Sequence, residues 1–173
     1  TTMGITPLEG LVMGTRSGDI DPALPFYIMR KTGMTADEMD TALNKKSGCL
    51  GITGRFSDRR DIEIAAAEGD KQCQLCIEME ALRIKKYIGA FMAELGHVDA
   101  IVFTAGVGEN DVTMREVICN EMGNLGIKLD LVKNKVRGKE TIISMDDSKV
   151  KILLVPTNEE LMIARDTLKL VTK

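Results

Sequence analysis

Two glycines one residue apart follow a short apolar run, at a point where a buried strand would give way to a helix. The stretch reads FTAGVGEN from Phe103 to Asn110. Glycines at such a turn let a ligand approach the backbone, and the next helix offers free N–H groups at its start. In open α/β sheets, ligands bind beyond the carboxyl ends of the strands. A ligand-binding turn and a tight turn without a ligand both remain possible from these residues.

The same stretch does not fit two common nucleotide motifs. A dinucleotide fingerprint needs a third glycine where Asp111 stands, and the Gly-Lys-Ser/Thr of a P-loop is absent. The missing third glycine argues against a dehydrogenase.

A second candidate is the polar loop from Gly14 to Pro22, which reads GTRSGDIDP. Asp21 is explained as the N-cap of a helix that begins at Pro22, whereas nothing local explains Arg16. An arginine on a glycine loop suits a clamp on a phosphoryl group or a carboxylate. The alternative is a solvated arginine at the surface.

Two further stretches carry charges beside helix starts. In GRFSDRRD, from residue 54 to residue 61, Ser57 or Asp58 caps a helix, and the arginines could equally pair with neighbouring acids. In PTNEEL, from residue 156 to residue 161, a capping box accounts for Glu160 and leaves Glu159 without a structural role. The Glu159 carboxylate could hold Mg²⁺, directly or through water, or could simply be favoured by the helix dipole.

The cysteines do not predict a metal site. Cys73 and Cys76 form a CxxC pair, but it lies within a helical pattern, and His97 is the only histidine. Because no second pair or histidine cluster accompanies it, we expect reduced thiols rather than zinc ligands.

The composition is that of a globular protein. The 173 residues are 44% apolar and 28% charged, with a net charge of −3. That balance predicts neither a nucleic-acid partner nor attraction to an anionic membrane, and no apolar stretch approaches the roughly 20 residues that span a bilayer. The first residues lack the basic and apolar regions of a signal peptide, so we expect a cytoplasmic location.

Helix starts are marked by capping residues. Capping boxes predict helices at Thr6, Thr35 and Thr157, and another helix runs from Asp21-Pro22 to Gly33. The longest helix spans Lys71 to Leu95 and is closed by Gly96. Its apolar stripe is expected to pack in the core and consists of Leu75, Met79, Leu82, Ile88, Phe91 and Leu95.

Three strands are predicted, at residues 100–104, 140–143 and 150–155. The first and last are continuous apolar runs, which is typical of strands buried on both faces. Because each of these two leads directly into a helix start, the sequence predicts an α/β protein with two strand–turn–helix units.

Taken in order, four stretches closely resemble the acetate kinase family. The family pattern includes TPLEGLMMGTRSGDIDP, SGLLGISGxSSDxRD, VFTGGIGEN and PTNEELMIARDT. In this chain they read Thr6 to Pro22, Ser47 to Asp61, Val102 to Asn110 and Pro156 to Thr167. The resemblance covers essentially the whole chain. Propionate and butyrate kinases share parts of the pattern, although the unbroken first stretch is most similar to acetate kinase.

The resemblance implies a fold and a reaction. The fold would be the α/β, ribonuclease H-like and actin-like ATPase fold of the acetate and sugar kinase superfamily. The reaction would be Mg²⁺-dependent, reversible transfer of the γ-phosphoryl group of ATP to acetate, which gives acetyl phosphate and ADP. In this family the C-terminal domain also supplies the dimer contact, so a homodimer is expected.

The resemblance also implies a role for particular residues. Arg16 would stabilise charge on the transferring phosphoryl group, and Glu159 would be a Mg²⁺ ligand. Residues on the adenosine side of ATP/ADP would be Asp58, Arg59 and Arg60, and those lining the nucleotide pocket would be Gly106, Val107, Gly108, Glu109 and Asn110.

The chain departs from the family pattern in three respects. Ala105 replaces a glycine of the commoner form, and Arg59 adds an arginine where the family usually has one only at the position of Arg60. Whole acetate kinases are more than twice as long. The resemblance therefore assigns residues 1–173 to a C-terminal nucleotide-binding domain without its first strands, its phosphate-gripping hairpin and the N-terminal domain that holds the catalytic aspartate and the substrate arginine.

Two alternatives to a functioning acetate kinase part follow. One is a non-catalytic module for nucleotide binding or dimerisation, and the other is a piece of a propionate or butyrate kinase. Because the carboxylate pocket lies mostly in the missing half, the sequence does not choose between acetate and propionate.

Overall fold

The computed structural model describes residues 1–172, which divide into two compact units, Thr1–Gly96 and the residues from His97 onward. The first unit is helical and contains α1 (Leu24–Thr32), α2 (Ala36–Lys45), α3 (Gly48–Thr53), α4 (Arg59–Ala67) and α5 (Lys71–Leu95). The second contains β1 (Ala100–Phe103), α6 (Ala105–Asn110), α7 (Val112–Cys119), β2 (Thr141–Ile142), β3 (Lys151–Leu154) and α8 (Glu159–Val171), with short 3₁₀ helices at Gly123–Leu125 and Lys133–Lys135. The predicted mixed α/β class is confirmed.

The long helix α5 has the predicted bounds, but the predicted buried stripe is wrong. Leu75, Leu82, Phe91 and Leu95 are 40–68% exposed. The residues of α5 that are buried are Cys73, Cys76, Ile77 and Ala81. Helices α3 and α4 pack against α5. The small cysteine and alanine side chains let neighbouring helices approach closely, and the sequence pattern had assigned the core to the larger side chains instead.

The helix predicted at Thr6 is also wrong. Thr6 Oγ1 accepts a hydrogen bond from the Leu8 N–H at 3.3 Å, so it closes only a turn. Gly10 then has a φ of +104°, outside the helical region, and its N–H binds the Asp19 carboxylate at 2.8 Å. The capping signal was genuine locally, but the chain leaves the helical conformation within one turn.

Other helix ends agree more closely with the sequence. The Thr35–Glu38 capping box is present at the start of α2, and Gly33 ends α1 with a φ of 77°. Helix α1 begins at Leu24 rather than at Pro22, because the Asp21 carboxylate accepts a hydrogen bond from the Ala23 N–H and forms a turn first.

In the second unit the three strands form one sheet in the order β1-β3-β2, with β1 and β3 parallel and β2 antiparallel to β3. Burial on both faces was predicted for β1 and β3 and is wrong: Ile152 and Leu154 are fully buried, whereas Val102 is 51% exposed. The strands instead alternate between a buried and a more open face, because the described residues cover only one face closely. Within residues 1–172 no helix combines the length and apolar character needed to cross a membrane.

Candidate functional site

The parallel pairing of β1 and β3 brings two of the predicted site stretches to the same edge of the sheet. Helix α6 follows β1 and contains residues 106–110, and α8 follows β3 and begins at Glu159. The Glu109 carboxylate links the two tips, because its Oε1 accepts hydrogen bonds from the Thr157 N–H at 2.7 Å and the Thr157 hydroxyl at 3.0 Å. The backbone hydrogen bond from Thr157, with a smaller contribution from the hydroxyl, lowers the pKa of Glu109.

This link corrects the cap predicted for α8. Thr157 donates to Glu109 and does not cap the helix; Asn158 is the N-cap, and its side chain accepts from the Leu161 N–H at 3.0 Å. Glu160 is therefore not the partner in a capping box. The sequence alone did not reveal this, since Glu109 lies 48 residues before Thr157.

Residues 105–110 form a short helical turn rather than an open glycine loop. Ala105 has a φ of 58°, in the left-handed region that favours glycine. A Cβ at Gly108 would lie 3.1 Å from the Phe103 carbonyl carbon, whereas a Cβ at Gly106 would have no heavy atom within 4 Å. Gly108 therefore allows close packing on the strand, and the space above Gly106 is open to a ligand. Asn110 Nδ2 donates to the Gly106 carbonyl at 3.0 Å.

The buried side chain of Arg115 supports this turn from within the second unit. Arg115 is fully buried, and its Nη1 donates to the Gly108 carbonyl at 2.8 Å. Its Nε donates to Asn134 Oδ1 at 2.7 Å, and its Nη2 donates to the carbonyls of Asn134 and Val136, each at 2.8 Å. Burial lowers the pKa of Arg115, although the nearby Asp111 charge opposes that shift. Sequence reasoning missed this residue, because it lies in an ordinary helical pattern.

The carboxylate of Glu159 is exposed at the start of α8, and the described residues offer it no hydrogen bond or ion pair. A single exposed carboxylate fits a Mg²⁺ site that is completed by water and phosphate oxygens, because Mg²⁺ keeps several waters and takes few protein ligands.

In the first unit, the loop that carries Arg16 pairs through its backbone with the segment before and within α3. The N–H groups of Ser47, Cys49 and Leu50 donate to the carbonyls of Thr15, Met13 and Gly14 at 2.9–3.0 Å. Gly48, with a φ of +61°, permits this pairing, since a Cβ there would lie 2.1 Å from the Met13 carbonyl oxygen. The turn around Arg16 is thus fixed by contacts that only glycine allows.

Asp19 anchors the other end of this loop to α5. Its carboxylate accepts from the Gly10 N–H at 2.8 Å and from the Tyr87 hydroxyl at 2.6 Å, and its carbonyl accepts from Arg83 at 2.7 Å. The Tyr87 hydrogen bond is the main cause that lowers the pKa of Asp19. Nothing in the sequence indicates this role, since Tyr87 lies 68 residues away from Asp19.

The Arg16 guanidinium makes one weak hydrogen bond to the described residues. It is half-buried, and its Nη1 lies 3.7 Å from the Met13 sulfur. No carboxylate among residues 1–172 pairs with it. A positive charge held on a fixed loop without an acidic partner can take up an anionic group.

The stretch from Ser57 to Arg60 lies beside this loop, because a Cβ at Gly14 would be 2.9 Å from the Ser57 carbonyl oxygen. Asp58 caps α4 and pairs with Arg60 at 2.7 Å, and these hydrogen bonds lower the pKa of Asp58 to about 2. Arg60 is 84% exposed and therefore accessible to a ligand.

Arg59 is placed differently from Arg60. Its side chain is 15% exposed and pairs with Glu80 of α5 and, at 3.6 Å, with Glu63. The pair with Glu80 joins α4 to α5, whereas the pair with Glu63 lies within α4. Both acids neutralise the charge of Arg59 within the fold.

The fold and these strand tips define an α/β protein of the kind that binds ligands beyond the carboxyl ends of parallel strands. Residues 1–165 match the model of the acetokinase family, and the chain belongs to that family.

Individual relatives agree with this assignment. The acetate kinase of Treponema denticola is 60% identical over 171 residues, which are 99% of this chain and 43% of that protein. The crystal structure of the Porphyromonas gingivalis acetate kinase is similar with a TM-score of 0.93 and 48% identity, over 98% of this chain and 43% of that one.

A propionate kinase from Francisella tularensis is also similar, with a TM-score of 0.87 and 44% identity over 94% of this chain and 41% of that structure. The chain thus spans less than half the length of each of these relatives. The α/β fold implied by the resemblance is confirmed by the acetate kinase structure.

Proposed function

We propose that this chain is the C-terminal, nucleotide-binding part of an acetate kinase, which transfers the γ-phosphoryl group of ATP reversibly to acetate. The observation that carries the proposal is the pairing of the β1 and β3 tips, where the Glu109–Thr157 hydrogen bonds hold residues 106–110 beside the start of α8. Family membership supplies the reaction type. Assignment of residues 1–173 to one C-terminal domain, and of the enzyme to a homodimer, belongs to the same proposal.

Each unit, taken by itself, carries residues that the proposal assigns to nucleotide binding. In the second unit, the open space above Gly106 and the exposed Asn110 side chain suit the nucleoside end of ATP or ADP. Val107, Gly108 and Glu109 complete this lining. In the first unit, Arg60 is exposed for the adenosine side, with Asp58 holding its guanidinium. Arg59 is the weakest member of the set, because its charge already pairs with Glu80.

Phosphoryl transfer requires stabilisation of negative charge more than covalent chemistry. Arg16 would supply it, since its guanidinium lacks a carboxylate partner among the described residues. Mg²⁺ would neutralise phosphate charge when bound, and Glu159 would contribute one carboxylate toward holding it. Acetate and acetyl phosphate would bind mainly to residues outside this chain, in the part of the whole enzyme that corresponds to the uncovered portion of the relatives.

The 173 residues alone are expected to bind nucleotide at most. Positioning supplies much of the catalysis in a two-substrate reaction, and a chain without the acetate-binding groups cannot orient the second substrate. Robust acetyl phosphate synthesis by a chain verified as 173 residues by mass would contradict this.

The test of function uses the whole protein that contains this chain. Arg16→Gln should lower kcat for acetyl phosphate formation by about 10²–10³-fold, as expected when one donor to a transition-state charge is lost. Arg30→Gln, an exposed arginine in α1 of the same unit, is the matched control and should leave kcat unchanged. Equal kcat values for the two variants would overturn the role of Arg16.

The similarity to a propionate kinase keeps that acceptor as a second candidate. The ratio of kcat/KM for acetate and for propionate, measured with the whole protein, decides between them. A whole protein that binds ADP but phosphorylates neither acid would favour the non-catalytic nucleotide-binding module.

A further inference from the structure

A buried cluster in the first unit has the composition of a site for a thiophilic metal ion. Cys49 of α3 and Cys76 and Glu80 of α5 converge so that their two sulfur atoms and one carboxylate oxygen all lie within 4.8 Å of one another. The Cys49 thiol donates to Glu80 Oε1 at 3.3 Å. Both cysteines are buried, and neither belongs to a disulfide.

This cluster differs from the CxxC pair in the sequence, for which reduced thiols were expected. The CxxC motif joins Cys73 to Cys76, but the Cys73 thiol interacts with the Asp70 carboxylate at the start of α5 and is not a member of the cluster. The partner of Cys76 is Cys49, which lies 27 residues earlier in the sequence (76 − 49) and on another helix. Only the packing of α3 on α5 brings these two sulfur atoms together.

The distances suit tetrahedral coordination. Zinc bonds of about 2.3 Å to sulfur and 2.0 Å to oxygen place tetrahedral ligand atoms roughly 3.5 Å apart for sulfur and oxygen and roughly 3.8 Å apart for two sulfurs. The 3.3 Å separation of Cys49 Sγ from Glu80 Oε1 is close to the first value, and no pair of ligand atoms exceeds 4.8 Å. Closing the cluster around an ion therefore needs shifts of about 1 Å or less.

The neighbouring charges also favour a cation. Two thiolates and the Glu80 carboxylate carry three negative charges, which a divalent ion and the Arg59 guanidinium offset, while Glu63, which also pairs with Arg59, is more exposed to solvent. These partners reduce the large cost of an uncompensated charge in the interior.

We propose that Cys49, Cys76 and Glu80 form a binding site for one thiophilic divalent cation of the zinc class. Binding releases any remaining thiol protons to solvent and forms two metal–sulfur bonds and one metal–oxygen bond, which leaves one coordination position for water. The ion joins α3 to α5. Because α3 carries Gly48, which pairs with the Arg16 loop, the metal stabilises the base of that loop.

The experiment is a titration of the full 173-residue chain, without a histidine tag, with Cd²⁺ or Co²⁺ under reducing conditions. Thiolate-to-metal charge-transfer absorption should saturate at one ion per chain, with an intensity appropriate to two thiolates. Cys49→Ser and Cys76→Ser should each remove the saturable signal, and Glu80→Gln should weaken binding at least tenfold.

Two variants serve as controls. Cys73→Ser removes the other cysteine of the CxxC motif, and His97→Ala removes the histidine that lies 3.0 Å from the Asp99 carboxylate at the surface. Both should bind the ion as the unchanged chain does. A signal that survives in Cys49→Ser but disappears in Cys73→Ser would overturn the proposal, as would the absence of saturable absorption in the folded wild-type chain.

Alkylation of the cysteines in the wild-type chain tests the same site without any variant, so the test does not depend on whether the cysteine variants fold. Zinc at one equivalent should slow alkylation of Cys49 and Cys76 at least tenfold, measured by peptide mass spectrometry, and should leave the alkylation rate of Cys73 comparatively unchanged. Protection of Cys73 and Cys76 without Cys49 would contradict the site.

Discussion

Replacement of Arg115 by methionine should destabilise the second unit strongly. The guanidinium is fully buried and donates to four acceptors, namely Asn134 Oδ1 and the carbonyls of Gly108, Asn134 and Val136, at 2.7–2.8 Å. Methionine has similar length and no donor, so it fills much of the space and leaves all four acceptors without their charged partner.

The expected magnitude follows from the number of acceptors. A buried polar group that loses its hydrogen bond costs about 1–3 kcal/mol, and local rearrangement or water entry recovers part of this. At about 1 kcal/mol for each acceptor, the free energy of unfolding should fall by about 4 kcal/mol. Arg115→Lys should lower the free energy of unfolding by about half as much. An ammonium group keeps the charge, but it cannot reach all the acceptors that the planar guanidinium binds along its different edges.

The assay is urea unfolding followed by circular dichroism, with Arg165→Met as the matched control. Arg165 is exposed, like the other residues of α8, and no described residue pairs with it. Its replacement should change the free energy of unfolding by less than about 0.5 kcal/mol. A loss below about 1 kcal/mol in Arg115→Met would refute the reasoning, because the four hydrogen bonds would then carry no net stability.

Two further predictions concern single positions. Ala105→Gly should raise the free energy of unfolding by about 0.5–1 kcal/mol in the same assay. Glycine removes the strain energy of the left-handed φ of 58°, and this gain exceeds the entropic cost of a more flexible unfolded chain. An unchanged or lower free energy of unfolding would contradict this. Asp19→Asn should lower the urea midpoint more at pH 7 than at pH 3. The folded-state pKa of Asp19 is lowered, so its contribution is present above the ordinary aspartate pKa and is lost as the pH falls through the folded-state value. An equal deficit at both pH values would exclude the carboxylate as the cause.

The sequence predicted the features that depend on neighbouring residues. The bounds of α5, the capping box at Thr35 and the αL end of α1 at Gly33 all follow from local hydrogen bonding and backbone conformation, and the structure has them. The strand–turn–helix units were also predicted, because a short apolar run before a helix start has few other interpretations.

Features that depend on distant partners could not be read from the sequence. Thr157 has the right neighbours for a capping box, yet Glu109 takes its N–H and hydroxyl. The buried side of α5 carries small residues such as Cys76 and Ala81, and the larger apolar side chains that the periodicity selects are exposed. In each case a tertiary contact outweighs a local preference of about 1 kcal/mol.

The candidate site shows the same division. The residue types at Arg16 and Glu159 indicated anion and metal binding because neither had a local structural role, and the described residues give neither of them an ionic partner. Arg59 and Arg60 are adjacent and chemically identical, but one faces Glu80 and the other faces solvent. Only the packing of α4 on α5 separates their environments.

The most direct test of the central claim is a calorimetric titration of the 173-residue chain with Mg-ADP, together with its Asn110→Ala and Arg60→Ala variants. The account predicts saturable binding by the unchanged chain and at least tenfold weaker binding by each variant, while Arg165→Ala binds normally. Absence of binding by a folded chain, or equal affinity in all four proteins, would contradict the assignment of these residues to a nucleotide site.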